Sequence, residues 1–355
     1  MSLSAERIAL MVRLGQYFRE NHAEWQSAVE KAGRMNGWFT PEFIDLAVRS
    51  ITTAFLQEDK LRQWLAGYPG LRPDSPKDRK VGLVMAGNIP LVGFHDFLSV
   101  YLSGYRLYIK LSSKDTVLWE HIFGLLGSWD DAFAQQVTVS DMLKGCDAYI
   151  ATGSNNSARY FEQYFRKYPH IIRRNRTSVA VLDGAETPEM LELLADDVCT
   201  YYGLGCRNVT KIFVPEGYDF TRLLPAFDKY SHHLDHHKYK NNYDYQLAIF
   251  LLNKVAYMTN GSILLAPSES PFAAIGVLHY EHYSNKEALL ETLRQDDRLQ
   301  CITTNGAQDQ PGRNFKCFGG NQAPELTDYA DGIDTLQFLS GLNRPEDAGG
   351  LPKKA

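Results

Sequence analysis

VGLVMAGNIPLVGFHDFLSVYLSGYRLYIKLSS (81–113) decides the fold. Its first four residues are an apolar, β-branched-rich run that ends at Gly87-Asn88. GFHDFLSVYLSG (93–104) then reads as a helix closed by a glycine, and YRLYIKLSS (105–113) as a second strand. Strand, glycine turn, helix and strand make a β-turn-α-β unit, whose two strands lie parallel in one sheet. Working toward the C-terminus, the alternation recurs. DAYIATGS (147–154), TSVAVLDG (177–184), VTKIFVPEG (209–217), SILLAP (262–267), AAIGVLHYE (273–281) and LQCITTN (299–305) read as strands. NNSARYFEQYFRKY (155–168), ETPEMLELLADDVCTYYG (186–203) and NKEALLETLRQ (285–295) read as the intervening helices. The fold class is therefore α/β with mostly parallel strands.

Toward the N-terminus the reading changes. Ile8, Met11, Val12, Leu14 and Phe18 recur at helical spacing and Thr40-Pro41-Glu42 is a helix start, so residues 1–75 are expected to form a helical N-terminal region. GYPGLRPDSPKDRK (67–80) collects proline, glycine and charge as a linker does. Residues 76–175 are expected to form a Rossmann-like domain completed by 306–345, and 176–305 a second α/β domain. Within 318–342 a loop and helix are expected to pack back on the first of these, and the tail 346–355 is expected to be disordered.

Composition narrows the function. The 355 residues carry 37 basic and 42 acidic side chains, a formal charge of -5, which argues against a nucleic-acid binder. No apolar run is long enough to span a bilayer, and charges at Glu6, Arg7 and Arg13 break up any leader-like segment, so a cytoplasmic location is expected. The five cysteines are odd in number and scattered, giving neither a disulfide framework nor a zinc site. HHLDHH (232–237) lacks a distal ligand motif and reads as a polar surface or interface helix, so no metal is expected.

Four segments carry candidate chemistry. AGNIPL (86–91) sets Asn88 at the carboxyl edge of a sheet, where open α/β folds bind ligands, although Asn and Gly also serve as plain turn residues. YIKLSS (108–113) places Lys110, Ser112 and Ser113 at a strand end, suited to ribose or phosphate or simply to solvent. ATGSNNSAR (151–159) runs through Gly153 and Ser154 into a helix whose first N–H groups favour an anion, or are merely capped. YYGLGCRNVTKIFV (201–214) holds Cys206 after Gly203-x-Gly205, in what reads as the most open turn of any cysteine here. A thiolate there can attack a carbonyl while its own N–H meets the oxyanion, and Arg207 either lowers the thiol pKa or points into solvent.

Taken in order, these segments together with SPFAAIGVLHYE (270–281) resemble aldehyde dehydrogenases. The wording of GNIPLVGFHD, KLSSKD and GLGCRN resembles the acyl-CoA reductase branch, the LuxC-type fatty-acid reductases, over about residues 80–305. The resemblance implies an aldehyde-dehydrogenase-like fold with a Rossmann-type cofactor domain and a catalytic domain. It makes Cys206 the catalytic cysteine and Asn88 an oxyanion donor. Lys110 becomes the ribose contact with Ser112 and Ser113 as phosphate partners, and Gly153 and Ser154 the turn beside the cofactor. Phe272 matches the phenylalanine beside the nicotinamide ribose, and Glu269 the ribose acid, one position further from Phe272 than usual. Where oxidising relatives carry an ELGG motif whose glutamate activates water, this chain reads IIRRNR (171–176) without a carboxylate, which favours thiol exchange and reduction over hydrolysis.

The implied activity is NADPH-dependent (NADH being possible) reduction of an acyl-CoA or acyl carrier protein thioester to aldehyde through an acyl-cysteine. Implied partners are the acyl donor, an acyl-protein synthetase and a second copy of the chain, with neither nucleic acid nor a membrane span. Two other readings stay open: a cysteine acyltransferase or thioesterase using Cys206 with His95 or His170, and a non-catalytic scaffold. Tyr201, Tyr202, Tyr280 and Tyr283 either line an acyl channel or pack in the core.

Overall fold

The computed structural model describes residues 2–71, 78–307 and 314–342. The chain divides into two compact units, one running to Asn175 and resuming at Glu325, the other spanning Arg176–Pro324.

The first unit opens with four helices, α1 (Leu3–Glu20), α2 (Ala23–Met35), α3 (Pro41–Ala54) and α4 (Glu58–Ala66). Ser2 caps α1 by accepting the Ala5 N–H, and Thr40 caps α3 by accepting that of Phe43, with Pro41 in the first turn where its missing N–H does no harm. One face of α1, with Ile8, Met11, Leu14 and Phe18, is buried. Five strands follow: β1 (Lys80–Val84), β2 (Arg106–Lys110), β3 (Val137–Val139), β4 (Ala148–Thr152) and β5 (His170–Arg173). They form an all-parallel sheet of order β3-β2-β1-β4-β5. The connections carry α5 (Phe94–Leu102), α6 (Thr116–Trp129), α7 (Asp131–Gln136) and α8 (Asn155–Phe165). Phe94, Phe97, Tyr101, Trp119 and Phe133 pack as an aromatic core on α5, α6 and α7. In the core beside α8 the Tyr149 and Phe165 rings stack at 4.0 Å, and Tyr149 lies so close to Gly82 that a Cβ there would stand 2.8 Å from the ring.

The expected helix within 318–342 is Thr335–Gly341. It packs in the first unit, where Tyr105 donates to the Leu339 carbonyl (2.8 Å), Trp64 to the Tyr329 hydroxyl (2.8 Å) and Tyr68 to Asp334 (2.6 Å).

The second unit is a seven-stranded sheet built from β6 (Thr177–Val181), β7 (Val209–Pro215), β8 (Met258–Thr259), β9 (Leu264–Pro267), β10 (Val277–Tyr283), β11 (Leu299–Thr304) and β12 (Phe315–Lys316). Its order is β12-β11-β6-β7-β10-β9-β8, parallel throughout except for β8 against β9. Helices α9 (Pro188–Cys199), α10 (His237–Leu252) and α11 (Lys286–Arg294) complete it. Leu182, Leu194, Ile212, Val214, Leu265 and Leu278 share one buried cluster.

Two stretches differ from their reading in the sequence. HHLDHH is not one helix: a 3-10 stretch ends at Asp235, His236 is extended and caps α10, and α10 begins at His237. Nor is it all surface, since His233 is buried against Tyr202, Tyr230 and Tyr239, and burial pushes its pKa down to about 3. IIRRNR is more than a segment without a carboxylate, for its first three residues belong to edge strand β5. Arg173 points inward from that strand, and its charge is met by Asp96 at 2.9 Å, with Thr335 accepting a second bond at 2.8 Å. Part of the expected linker (72–77) and the whole tail (343–355) lie outside the described residues.

Candidate functional site

The first unit gathers its candidate residues along the carboxyl edge of its sheet. The sequential order of strands reverses between β1 and β4, and the loops leaving those two strands diverge there, the arrangement that opens a ligand crevice in wound sheets. The loop after β1 carries Gly87 and half-buried Asn88. It lies against the loop after β2, so a Cβ on Gly87 would stand 2.6 Å from Ser112 Oγ and 3.2 Å from Asp115 Cβ. No other residue fits there. Four residues on, Leu91 takes a left-handed φ of 54°, and its N–H donates to Asp115 Oδ2 at 2.8 Å. Asp115 is 2% exposed, and burial pushes its pKa up to about 8 against the pull of hydrogen bonds from the Leu91 N–H and the Trp119 side chain.

Around this pair, Lys110 ends β2 with its side chain exposed, Ser113 is exposed too, and half-buried Ser112 accepts the Lys114 N–H at 3.3 Å. Gly153 follows β4 and donates its N–H to the Arg173 carbonyl at 3.2 Å. Ser154 caps α8 by accepting the Ser157 N–H at 3.3 Å, so the helix start faces the same edge as the β1 loop.

In the second unit the decisive stretch is the end of α9. Tyr201, Tyr202 and Gly203 adopt left-handed φ values of 54°, 56° and 74° in succession. Such backbone is uncommon for large side chains. The chain then turns through Leu204–Asn208 into β7. Asn208 is fully buried and holds this turn shut: Nδ2 shares its hydrogens among the carbonyls of Asp197 (3.0 Å), Val198 (3.2 Å) and Thr200 (2.9 Å), while Oδ1 accepts the Gly205 N–H at 2.8 Å. Those carbonyls are ones a helix C-terminus leaves without intrahelical partners. Between the two ends of the clamp sits Cys206, half-exposed, its carbonyl accepting from Ser178 Oγ at 3.1 Å.

The loop bearing Glu269 and Phe272 is tied to the same strand entry. Thr210 Oγ1 donates to the Pro271 carbonyl at 2.5 Å, the buried Lys211 ammonium to the Glu269 carbonyl at 2.9 Å, and His279 Nδ1 to the Ser270 carbonyl at 3.0 Å. Lys211 also pairs with Glu281 across β7 and β10. Glu269 is exposed and Phe272 half-buried. The second unit thus brings the Cys206 turn and the Glu269–Phe272 loop to one end of β7, as the first brings together the Asn88, Ser112 and Ser154 loops.

The structure bears on three readings of side chains, one of which it overturns. Cys206 is not in the most open turn: Cys317 is exposed, in a turn closed by the Gly320 N–H on its carbonyl at 3.0 Å. Cys146, Cys199 and Cys301 are buried, and burial pushes the Cys146 thiol up to about 11 and that of Cys199 higher still. Arg207 is not a plain solvent-facing residue, because its guanidinium donates to Cys301 Sγ at 3.4 Å. Tyr201 and Tyr202 are buried, Tyr202 stacking on His236 at 4.6 Å, and Tyr283 donates to the Leu182 carbonyl at 2.7 Å, so these are packing residues. Of the two histidines considered as bases, His95 is bonded to the Leu326 carbonyl (2.9 Å) and His170 to that of Tyr168 (2.8 Å).

Asp115, Asn208 and Lys211 are the residues that sequence reading passed over. The first two stand inside motifs already quoted, KLSSKD and GLGCRN. Among the described residues no group of three or more His, Cys, Asp or Glu is arranged to hold a metal, and no helix is long and apolar enough to cross a membrane.

A family model described as acyl-CoA reductase (LuxC) matches residues 20–222. Among solved structures, an aldehyde dehydrogenase from Physcomitrella patens in complex with the reaction product succinate superposes with a TM-score of 0.70 at 11% identity, over 96% of this chain and 84% of that one. One from Mycobacterium tuberculosis complexed with NAD+ gives 0.61 at 11% identity, over 85% of this chain and 73% of that one. An aldehyde dehydrogenase from Bacillus cereus in complex with NAD+ gives 0.60 at 12% identity, over 85% and 71%. No curated protein matches by sequence. At these identities the structural likeness establishes the fold, which is that of aldehyde dehydrogenases.

Proposed function

The chain belongs to the LuxC family of acyl-CoA reductases, and from that premise we propose that it reduces a fatty acyl thioester to the aldehyde with NADPH, through an acyl-cysteine on Cys206. The observation that carries this reading is the setting of Cys206: a half-exposed thiol at the entry of a parallel strand, on a turn whose backbone is bonded on both flanks.

The steps assigned to this chain are these. The Cys206 thiolate attacks the thioester carbonyl carbon, forming a C–S bond. The Cys206 N–H and, by family resemblance, the Asn88 amide stabilise the oxyanion, each such donor being worth about 10²–10³ in rate. The oxyanion collapses, the donor's C–S bond breaks, and the CoA or carrier thiolate leaves and takes up a proton. Cys206 keeps the acyl group. A nicotinamide cofactor, when bound, supplies the hydride that reduces the acyl carbon, and the thiohemiacetal then releases aldehyde and the Cys206 thiol. Overall, one acyl thioester, one NADPH and one proton give aldehyde, free thiol and NADP+.

Residues of the first unit suit such a cofactor. The exposed Lys110 ammonium, the Ser113 hydroxyl and the α8 N-terminus at Ser154 offer cationic and hydrogen-bonding groups at the edge where ribose and phosphate bind in wound sheets. Glu269 and Phe272 are assigned to the nicotinamide ribose. Arg173, directed inward onto Asp96, supplies no base for hydrolysis of the acyl-cysteine, which favours reduction.

Intact-protein mass spectrometry after incubation with acyl-CoAs of graded length, without cofactor, tests the first half. A single acyl adduct that maps to Cys206 is expected. Cys206→Ala is expected to lose the adduct and NADPH-dependent aldehyde release together, and a variant retaining both overturns the reading.

A further inference from the structure

We infer that Asn208 is the positioning residue of the reactive turn, fixing the Cys206 backbone in the geometry that acyl transfer needs. The inference rests on the reading of Cys206 as nucleophile and goes beyond it. Two facts carry it. The Asn208 amide is saturated on both sides: its hydrogens cover three carbonyls at the end of α9, and its oxygen takes the Gly205 N–H immediately before Cys206. And the segment it closes is strained, with left-handed backbone at Tyr201 and Tyr202, a conformation that large side chains seldom adopt. Strained backbone persists where surrounding bonds over-determine it.

Asparagine is the side chain that fits. Aspartate would set a carboxylate against three carbonyl oxygens, and leucine would leave the carbonyls and the Gly205 N–H unbonded in a fully buried place. Neither change touches the sulfur. Removing the clamp therefore leaves the thiol present but lets its N–H and Sγ drift relative to an incoming carbonyl. Displacements of about 1 Å cost on the order of 10²-fold in reactions that need alignment.

The test compares two reactions of one sulfur. Acylation by acyl-CoA needs the oxyanion donors in register, whereas alkylation by iodoacetamide needs only an accessible thiolate, and exposed Cys317 gives an internal reference. In Asn208→Asp and Asn208→Leu, Cys206 acylation is expected to fall at least about tenfold while alkylation relative to Cys317 changes less than about threefold. Asn208→Ser, which keeps a donor and an acceptor, is expected to recover part of the acylation rate. Unchanged acylation in the variants, or acylation and alkylation falling in parallel, overturns the inference. Hydrogen exchange on the wild-type chain covers the case in which variants do not fold. The Gly205 N–H, bonded to Asn208 Oδ1, is expected to exchange far more slowly than an open turn allows, and exchange at open-turn rates overturns the inference. A wild-type chain that takes no acyl group on Cys206 fails the proposed function instead, leaving the exchange result to stand.

Discussion

Two turns, one in each unit, solve the same backbone problem with different side chains. After β1, Leu91 is left-handed and its N–H is held by the Asp115 carboxyl; after α9, Tyr201 and Tyr202 are left-handed and the turn is held by the Asn208 amide. Both side chains are buried and both come from further along the chain. They differ in chemistry. An amide donates and accepts at once and keeps no proton in reserve, whereas a carboxyl only accepts until it is protonated. The Asn88 turn is thus tied to a titratable group and the Cys206 turn to a neutral one.

The largest break in this contrast is Asp115→Ala. It leaves the buried Leu91 N–H unbonded on left-handed backbone, and a loss of about 2–3 kcal/mol is expected in urea denaturation, with the slope unchanged. A second effect follows from pH. In the folded chain burial pushes Asp115 to about 8, above its ordinary value of 3.8. Between those values the native state holds a proton that the unfolded chain has released. The stability this confers is full below about pH 4 and is lost as pH rises through 8. The melting temperature is expected to fall by several degrees from pH 5 to 9, and Asp115→Asn to flatten the upper part of that fall. Coincident slopes would remove Asp115 from the account. Asp197, pushed by burial to about 7 while accepting from Gly319 (2.7 Å) and Asn321 (3.1 Å), acts in the same sense on the Cys317 side of the second unit. The smallest effect is expected at Arg207→Met. Because the guanidinium is directed at Cys301, Cys206 alkylation should change less than about threefold, and a larger change would restore Arg207 as its activator.

Much of this is legible in the chain itself. Strands such as VGLV and TSVAV announce themselves because both faces of a parallel strand are buried and hydrophobic runs result, and Thr40-Pro41 and Thr187-Pro188 mark helix starts by local chemistry. β5 escapes because its histidine and arginine break any apolar rhythm, and what makes Arg173 tolerable is Asp96, distant in sequence. Asn208 and Asp115 escape for a related reason: a side chain bonded to backbone looks like an ordinary turn residue until the returning chain is seen. Cys317 is misjudged and Arg207 left open because exposure and direction are set by neighbours that the local sequence does not name.

One glycine bears on what substitutions this chain can accept. At position 82, in the middle of the first sheet, even alanine would drive a methyl group into the Tyr149 ring and toward the Cys146 sulfur, 3.2 Å away. Across a population of natural or laboratory variants, that site should stay frozen while the exposed tyrosines of α8 drift freely. Relief would come only in pairs, with a smaller residue at 149 arriving alongside any newcomer at 82.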